Sequence, residues 1–441
     1  MVEFSPLVAM GVMFVLLSVL LLSGQQVVFA MGITGLVLIY LLWGSGHVTF
    51  TLVANALMAM ESYTLVAIPL FIFMAMMLRS SGIIEELFDS LRLWLDRVPG
   101  GLAMAVILVS VFIGAMSGVV ATGIVVLGIV AVPIMLKYGY SKGMAIGPVM
   151  AGACLAILIP PSVGFIVYGA IAQVSVGQLF IGGLIPGLIL AGIEMIYIGI
   201  RCYRNPNLAP PIPPEERVGF REKVVSLKSL ILPLCLIVAV LGSVFFGIAC
   251  ATEAAGIGAL GALLITAGRR KLTWSALREG VIETGKSSSM LLWIFIGAYC
   301  FKSVFVLSGG PSFVSNWVAG LTVAPLSIIG TMQVVFIALG CFVQEVVIQV
   351  ICMPVFLPIV TSLGRDYIWF GVLFLCNAEL SFLTPPFGFA LFYMKSVMPE
   401  DISMADIIRA GLPFIPLQLI VVILVMFIPQ LAVWLPSMML G

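Results

Sequence analysis

Charge is scarce in this chain. Of 441 residues only 20 are Lys or Arg and 19 are Asp or Glu, and histidine occurs once, at His47 in an expected loop. A net charge of +1 leaves no basic face for a nucleic-acid partner. A single histidine also leaves no Ser–His pairing and no His/Asp/Glu metal cluster, which disfavours a membrane-embedded enzyme. The eight cysteines are scattered without CxxC or CxxH spacing, so they read as small apolar packing rather than as a metal or disulfide framework. Long polar stretches are missing too, so no soluble domain larger than a loop is expected.

What is present is apolar. Hydrophobic residues make up 62% of the chain and the mean hydropathy is +1.26, a composition of a polytopic membrane protein. A helix needs about 20 apolar residues to cross a bilayer, and such runs recur. The opening run lacks a basic leader and a small-residue cleavage site and reads as a retained helix. Crossings are predicted at 6–23, 27–45, 63–79, 143–173, 181–201, 229–250, 251–268, 286–307, 367–396 and 410–435. The basic residues cluster at Arg79, Arg92 and Arg97, at Lys137 and Lys142, in the Pro-rich loop 201–228, at Arg269 to Arg278, and at Lys395 and Arg409. By the positive-inside rule these segments are cytoplasmic, and both chain ends fall outside. Residues 80–99 and 271–288 have the spacing of amphipathic interfacial helices.

Two apolar segments resist simple crossings. Residues 101–136 have basic residues at both ends and should enter from the cytoplasm and turn back. Residues 327–363 are their counterpart and should re-enter from outside. Each has a small or polar turn, "GAMSGVVATG" and "GCFVQEVVIQ", and each is followed by a broken helix, "ILIPPSVGF" and "FLTPPFGF". Gly114 to Pro160 is 46 positions and Gly340 to Pro385 is 45; Pro133 to Pro160 and Pro358 to Pro385 are both 27. An internal repeat of inverted topology accounts for this.

Paired prolines remove two backbone donors and free carbonyls. Unsatisfied backbone in hydrocarbon costs several kcal/mol per group, so such a break belongs at a polar cavity. Freed carbonyls can coordinate a cation, and the following half-helix offers N–H groups to an anion. The candidates are Ile159, Pro160 and Ser162 at the first break, and Thr384, Pro385 and Gly388 at the second. Intramembrane charge defaults to function. Glu345 at the second tip reads as a cation ligand or gate, or as a buried carboxyl bonded to backbone. Asn377 and Glu379 precede the second break, with Asn377 the stronger ligand. Glu253 should cap a helix start, Lys302 should snorkel outward, and Glu194 should pair or face a partner subunit.

In order and spacing, "GAMSG", "ILIPPS", "LFIGGLIPGLIL", "ATEAAGIGALGALL", "MPVFLPI" and "LSFLTPPFGFALFYMKSV" resemble the large membrane subunit of tripartite ATP-independent periplasmic (TRAP) transporters over nearly the whole chain. The resemblance implies an all-α, inverted-repeat, elevator-type transporter with two re-entrant hairpins and two broken helices. It would take up a carboxylate-type organic solute with sodium as coupling ion, no other cofactor, a small four-helix membrane subunit and a periplasmic binding protein, in a bacterial inner membrane. Residues 101–173 and 326–397 would form the transport domain. Residues 1–100 and 174–325 would be scaffold and connecting helices, and 398–441 a C-terminal crossing.

The chain departs from the family at Val119, Val120, Ala121 and Thr122, where many members carry serines, and at Val343, Gln344 and Glu345, where many carry Met-Asp-Pro. Coordination in the first tip would then rest on Ser117, Thr122 and backbone, with sodium near Ser117, Ser162, Asn377 and Thr384. The ending is closer to the branch for mannitol, chloroaromatic or 2-oxo-acid substrates than to the sialic acid branch. A stand-alone sodium- or proton-coupled carboxylate carrier of related fold remains the alternative.

Overall fold

The computed structural model describes residues 6–320 and 322–439. Residues 1–5, 321, 440 and 441 lie outside the described residues, and with them the chain ends expected on the outer face. Among the described residues the regular structure is helical. The chain opens with α1 (Pro6–Leu22), α2 (Val27–Trp43), α3 (Ser45–Met60), α4 (Ala67–Ser80) and α5 (Ile83–Trp94). A first hairpin, α6 (Gly101–Ser117) and α7 (Val120–Lys137), precedes a split helix, α8 (Lys142–Cys154) and α9 (Val163–Ala172). Next come α10 (Val176–Arg204), α11 (Phe220–Ser226), α12 (Lys228–Phe245), α13 (Ala251–Gly268), α14 (Trp274–Leu307) and α15 (Gly310–Ala319). A second hairpin, α16 (Pro325–Gly340) and α17 (Glu345–Ser362), precedes a second split helix, α18 (Tyr367–Leu383) and α19 (Phe389–Val397). The chain closes with α20 (Met404–Gly411), α21 (Ile415–Phe427) and α22 (Gln430–Val433).

Eight helices among the described residues are long and apolar enough to cross a membrane. The hairpin arms α6 and α16 and the pieces of the split helices are shorter, because the tips and proline pairs cut them.

Several expectations change. The segment between α2 and α4 is a helix, α3, and His47 lies in its first turn rather than in a loop. Residues 271–288 do not form a separate surface helix. They run straight into the following crossing as the 34-residue α14, since nothing from Trp274 to Leu307 breaks the hydrogen-bond ladder. The last crossing ends at Phe427 and is followed by the short α22, beyond Pro429. α5 forms as expected, burying Ile83, Ile84, Leu87 and Phe88.

Packing divides the helices. α1 lies on α2, α14 on α2, α3 and α4, and α13 on α4 and α12. The hairpins and split helices pack on one another: α6 and α7 on α8, α16 on α18, α17 on α9, and α19 on α7. α10, expected among the scaffold helices, packs on α6, α9, α18 and α21. Its glycines permit this approach. A Cβ on Gly183 would lie 2.6 Å from the Leu158 carbonyl oxygen, and one on Gly187 2.8 Å from Ile159. The loop after α10 is bound to the base of the first hairpin: Gly100 donates to the Ala209 carbonyl (3.0 Å), Ile212 to that of Asp96 (3.1 Å) and Ser141 to that of Leu208 (2.8 Å).

Candidate functional site

The two halves meet in equivalent ways. Gly114 abuts Ala156 so closely that a Cβ on the glycine would fall 3.1 Å from the Ala156 Cα, and a Cβ on Gly340 would fall 2.3 Å from the Ser381 side chain. Ala156 lies four residues before Pro160, and Ser381 four before Pro385. Both proline pairs, Pro160–Pro161 and Pro385–Pro386, contain cis peptide bonds. In each half, the first hairpin arm thus packs a glycine against the residue four positions before the proline pair.

Gly118 makes the first seat. It ends α6 in the left-handed region at φ 60°, with its N–H on the Gly114 carbonyl (3.0 Å). A Cβ there would meet the Pro161 carbonyl oxygen at 2.2 Å. Only glycine combines that φ with that approach.

Between the tips lies a cavity of about 210 Å³. Hairpin 1 contributes Gly118 to Ala121, the first break Ser162 to Gly164, hairpin 2 Gln344 to Val346, and the second split helix Phe382 and Tyr393. The far wall is Ile72 and Met76 of α4, with Ser287, Met290, Leu291 and Ile294 of α14. Ser162 is 1% exposed and its hydroxyl has no partner. It occupies the N-cap of α9 without capping it, which leaves the hydroxyl for the cavity. Glu345 enters from the first turn of α17, with its Oε2 also unpartnered.

Thus Ser162, Gln344 and Glu345 are gathered at one cavity. The remaining candidates lie off its lining. Ser117 is buried, with its hydroxyl accepting from the Val119 N–H (3.4 Å), and Thr122 is buried in the first turn of α7. Asn377 turns away into hairpin 2, its amide donating to the Gln333 carbonyl (2.9 Å) and side chain (3.1 Å). The Thr384 hydroxyl donates to the Leu380 carbonyl (2.8 Å). At Gly388, a Cβ would meet the carbonyl oxygens of Phe382 (2.5 Å) and Thr384 (2.9 Å). Ile159 and Pro160 are buried beneath the first tip, while Pro385 is half-buried.

Glu194 and Glu379, both 0% exposed, lie within electrostatic reach of each other between α10 and α18. None of their four carboxyl oxygens has a partner, so Glu194 neither forms an ion pair nor faces outward. Glu253 caps α13, accepting from the Cys250 N–H (2.8 Å). Among the described residues no group of three or more His, Cys, Asp or Glu is arranged for a metal.

The sequence reading missed the cavity's far wall. Its signal was present: Ser287, Met290, Leu291 and Ile294 repeat at helical spacing along one face.

The family described as "Tripartite ATP-independent periplasmic transporter, DctM component" matches residues 14–431. The chain belongs to this family. It is 32% identical to the C4-dicarboxylate TRAP transporter large permease protein DctM of Pseudomonas aeruginosa over 86% of this chain and 87% of the relative. It is 28% identical to the ectoine/5-hydroxyectoine large permease UehC of Ruegeria pomeroyi over 96% and 97%. Against the sialic acid large permease SiaM of Vibrio cholerae it is 27% identical over 96% and 97%. The crystal structure of the Alcanivorax borkumensis YdaH transporter shares the fold, with a TM-score of 0.61 and 17% identity over 87% of this chain and 88% of that one. The TRAP large permease is thus an all-helical, multi-pass membrane protein, and the relatives named are transporter permeases.

Proposed function

We propose that this TRAP permease carries out sodium-coupled, ATP-independent uptake of a carboxylate-type organic solute. It acts in a bacterial inner membrane with a small four-helix subunit and a periplasmic binding protein. The observation that carries the reading is the cavity where both hairpin tips and the first break converge around an unpartnered Ser162 hydroxyl. Its oxygens suit a bare cation, and the α9 N-terminus suits an anion. One wall of the cavity is made by α4 and α14, the others by the hairpin group, so the solute would sit between a fixed scaffold and a moving unit. In that elevator reading the hairpins re-enter from opposite faces. On this reading α10 and α21, which pack on that group, would move with it.

The relatives' solutes differ, among them C4-dicarboxylates, ectoine and sialic acid, so those compounds form the first uptake panel. With the three components reconstituted in liposomes, uptake of the accepted solute is expected to collapse in sodium-free buffer. Undiminished uptake there, with no proton gradient, overturns the coupling. Uptake by this chain alone would instead assign a stand-alone carrier.

A second test divides the breaks. Removing the Ser162 hydroxyl as Ser162→Ala takes away a ligand worth about 1–3 kcal/mol if its partner is stranded, and half-saturating sodium or solute should rise roughly tenfold. Thr384→Ala removes a hydroxyl already held by Leu380 and should leave both values unchanged. Equal effects from the two variants would refute this assignment.

A further inference from the structure

A second, larger cavity of about 850 Å³ lies at the other end of α9. Two helices present regular faces to it: Thr51, Asn55 and Met58 from α3, and Tyr299, Lys302, Ser303 and Val306 from α14. Gln173, which ends α9, with Ser62 and Thr64, adds to its polar lining. Asn55 is 3% exposed and bonds Ser303 (3.1 Å), locking the two walls together. Lys302 and Val306 also line a neighbouring cavity of about 470 Å³, so the lysine stands where the two spaces adjoin. Among the described residues no carboxylate forms an ion pair with Lys302. The one acidic residue on the lining, Glu61, is exposed at the rim.

The two ends of α9 connect the cavities. Ser162 opens the ten-residue helix at the tip cavity and Gln173 closes it at the second, about 17 Å apart at helical rise. α14 supplies a wall to both, first Met290 and Leu291, then Lys302 and Ser303. From Met290 to Lys302 the helix rises about 18 Å. The basic residues preceding α14, at Arg269, Arg270 and Lys271, mark its start as cytoplasmic. Lys302 therefore belongs near the outer end. It does not simply snorkel to the surface, because its neighbours at i−3, i+1 and i+4 line the same cavity.

We infer that this outer cavity is an anion-receiving vestibule in which Lys302 recognises the carboxylate or sulfonate group of the incoming solute. The inference rests on the uptake reading above and adds to it the outer station of the path and its recognition charge. A half-buried ammonium without a counter-ion among the described residues is held ready for an anionic guest. The Tyr299 hydroxyl and the Gln173 amide, on the same lining, offer hydrogen bonds around it.

The test needs neither the natural solute nor a working coupling mechanism. In the full chain, with native cysteines replaced, Thr51→Cys places a thiol on the wall facing α14. Right-side-out vesicles are treated with an anionic sulfonatoethyl or a cationic trimethylammonioethyl methanethiosulfonate reagent. The anionic reagent should react faster with Lys302 in place, and Lys302→Gln should lower the anionic-to-cationic rate ratio by roughly fivefold or more. Lys302→Arg should retain the ratio. A ratio that ignores Lys302→Gln overturns the inference. So does a thiol that reacts only with a lipid-soluble maleimide, since that would make the cavity a lipid pocket. A failed sodium test with a charge-dependent ratio would reject the coupling and leave the vestibule standing.

Discussion

Gly118→Ala is expected to abolish transport while the protein still inserts and assembles. The residue lies at φ 60°, a region that costs a residue with a Cβ about 1–2 kcal/mol. The larger penalty is steric. The new methyl would stand 2.2 Å from the Pro161 carbonyl oxygen, and a backbone atom cannot rotate away as a side chain can. Relief requires the hairpin tip to lift from the break, which displaces the Val119 to Ala121 backbone and Ser162 from the cavity they share. Gly143→Ala is the control. It lies in the first turn of α8 with open space around it and should transport at the wild-type rate. Uptake by the reconstituted complex, with assembled yield measured beside it, checks both. Wild-type uptake by Gly118→Ala would show that the seating of tip on break is dispensable.

The second large effect is on stability. Asp96→Ala should destabilise the protein by about 3–5 kcal/mol, because it strands a buried cation. Lys223 donates to Asp96 at 2.8 Å, with side-chain exposures of only 10% and 2%. The pair links α11 to the turn before hairpin 1, beside the backbone bond from Ile212 to the Asp96 carbonyl. Losing it removes one tie to the hairpin base, whose backbone bonds to the Pro-rich loop remain, and leaves the ammonium unpaired. Replacing both residues, Asp96→Ala with Lys223→Met, removes the stranded charge and should recover most of the loss. Thermal unfolding of the purified protein in detergent checks this. If the double variant is no more stable than Asp96→Ala alone, the damage comes from lost loop packing and not from the uncompensated charge.

The hairpins and breaks were legible because their signals are local. Two adjacent prolines interrupt a helix wherever they occur in hydrocarbon, and a glycine-bounded polar turn in an apolar run ends one helix and starts another. The similar spacings from Gly114 to Pro160 and from Gly340 to Pro385, 46 and 45 positions, carried over into corresponding contacts, at Ala156 and Ser381. Other features had no such local mark. α3 is too mixed in composition to stand out as a crossing. Its buried Asn55 acquires meaning only through Ser303, 248 positions away.

From the sequence alone followed the apolar helices, the places where they break, the doubling of one motif and the likeness to the TRAP large permease. Backbone hydrogen bonding and bilayer thickness act on neighbouring residues, so those features follow from order along the chain. Tertiary structure alone decided which hydroxyls and carboxyls face a cavity and which are held by a neighbour. It separated Ser162 from Thr384, turned Asn377 toward Gln333, buried Glu194 beside Glu379, and set Lys302 on the lining of a large cavity. In a chain that is apolar on nearly every helix face, hydrophobic patterning assigns no inside and outside. Close packing through glycines such as Gly118, Gly183 and Gly340 makes the assignment instead.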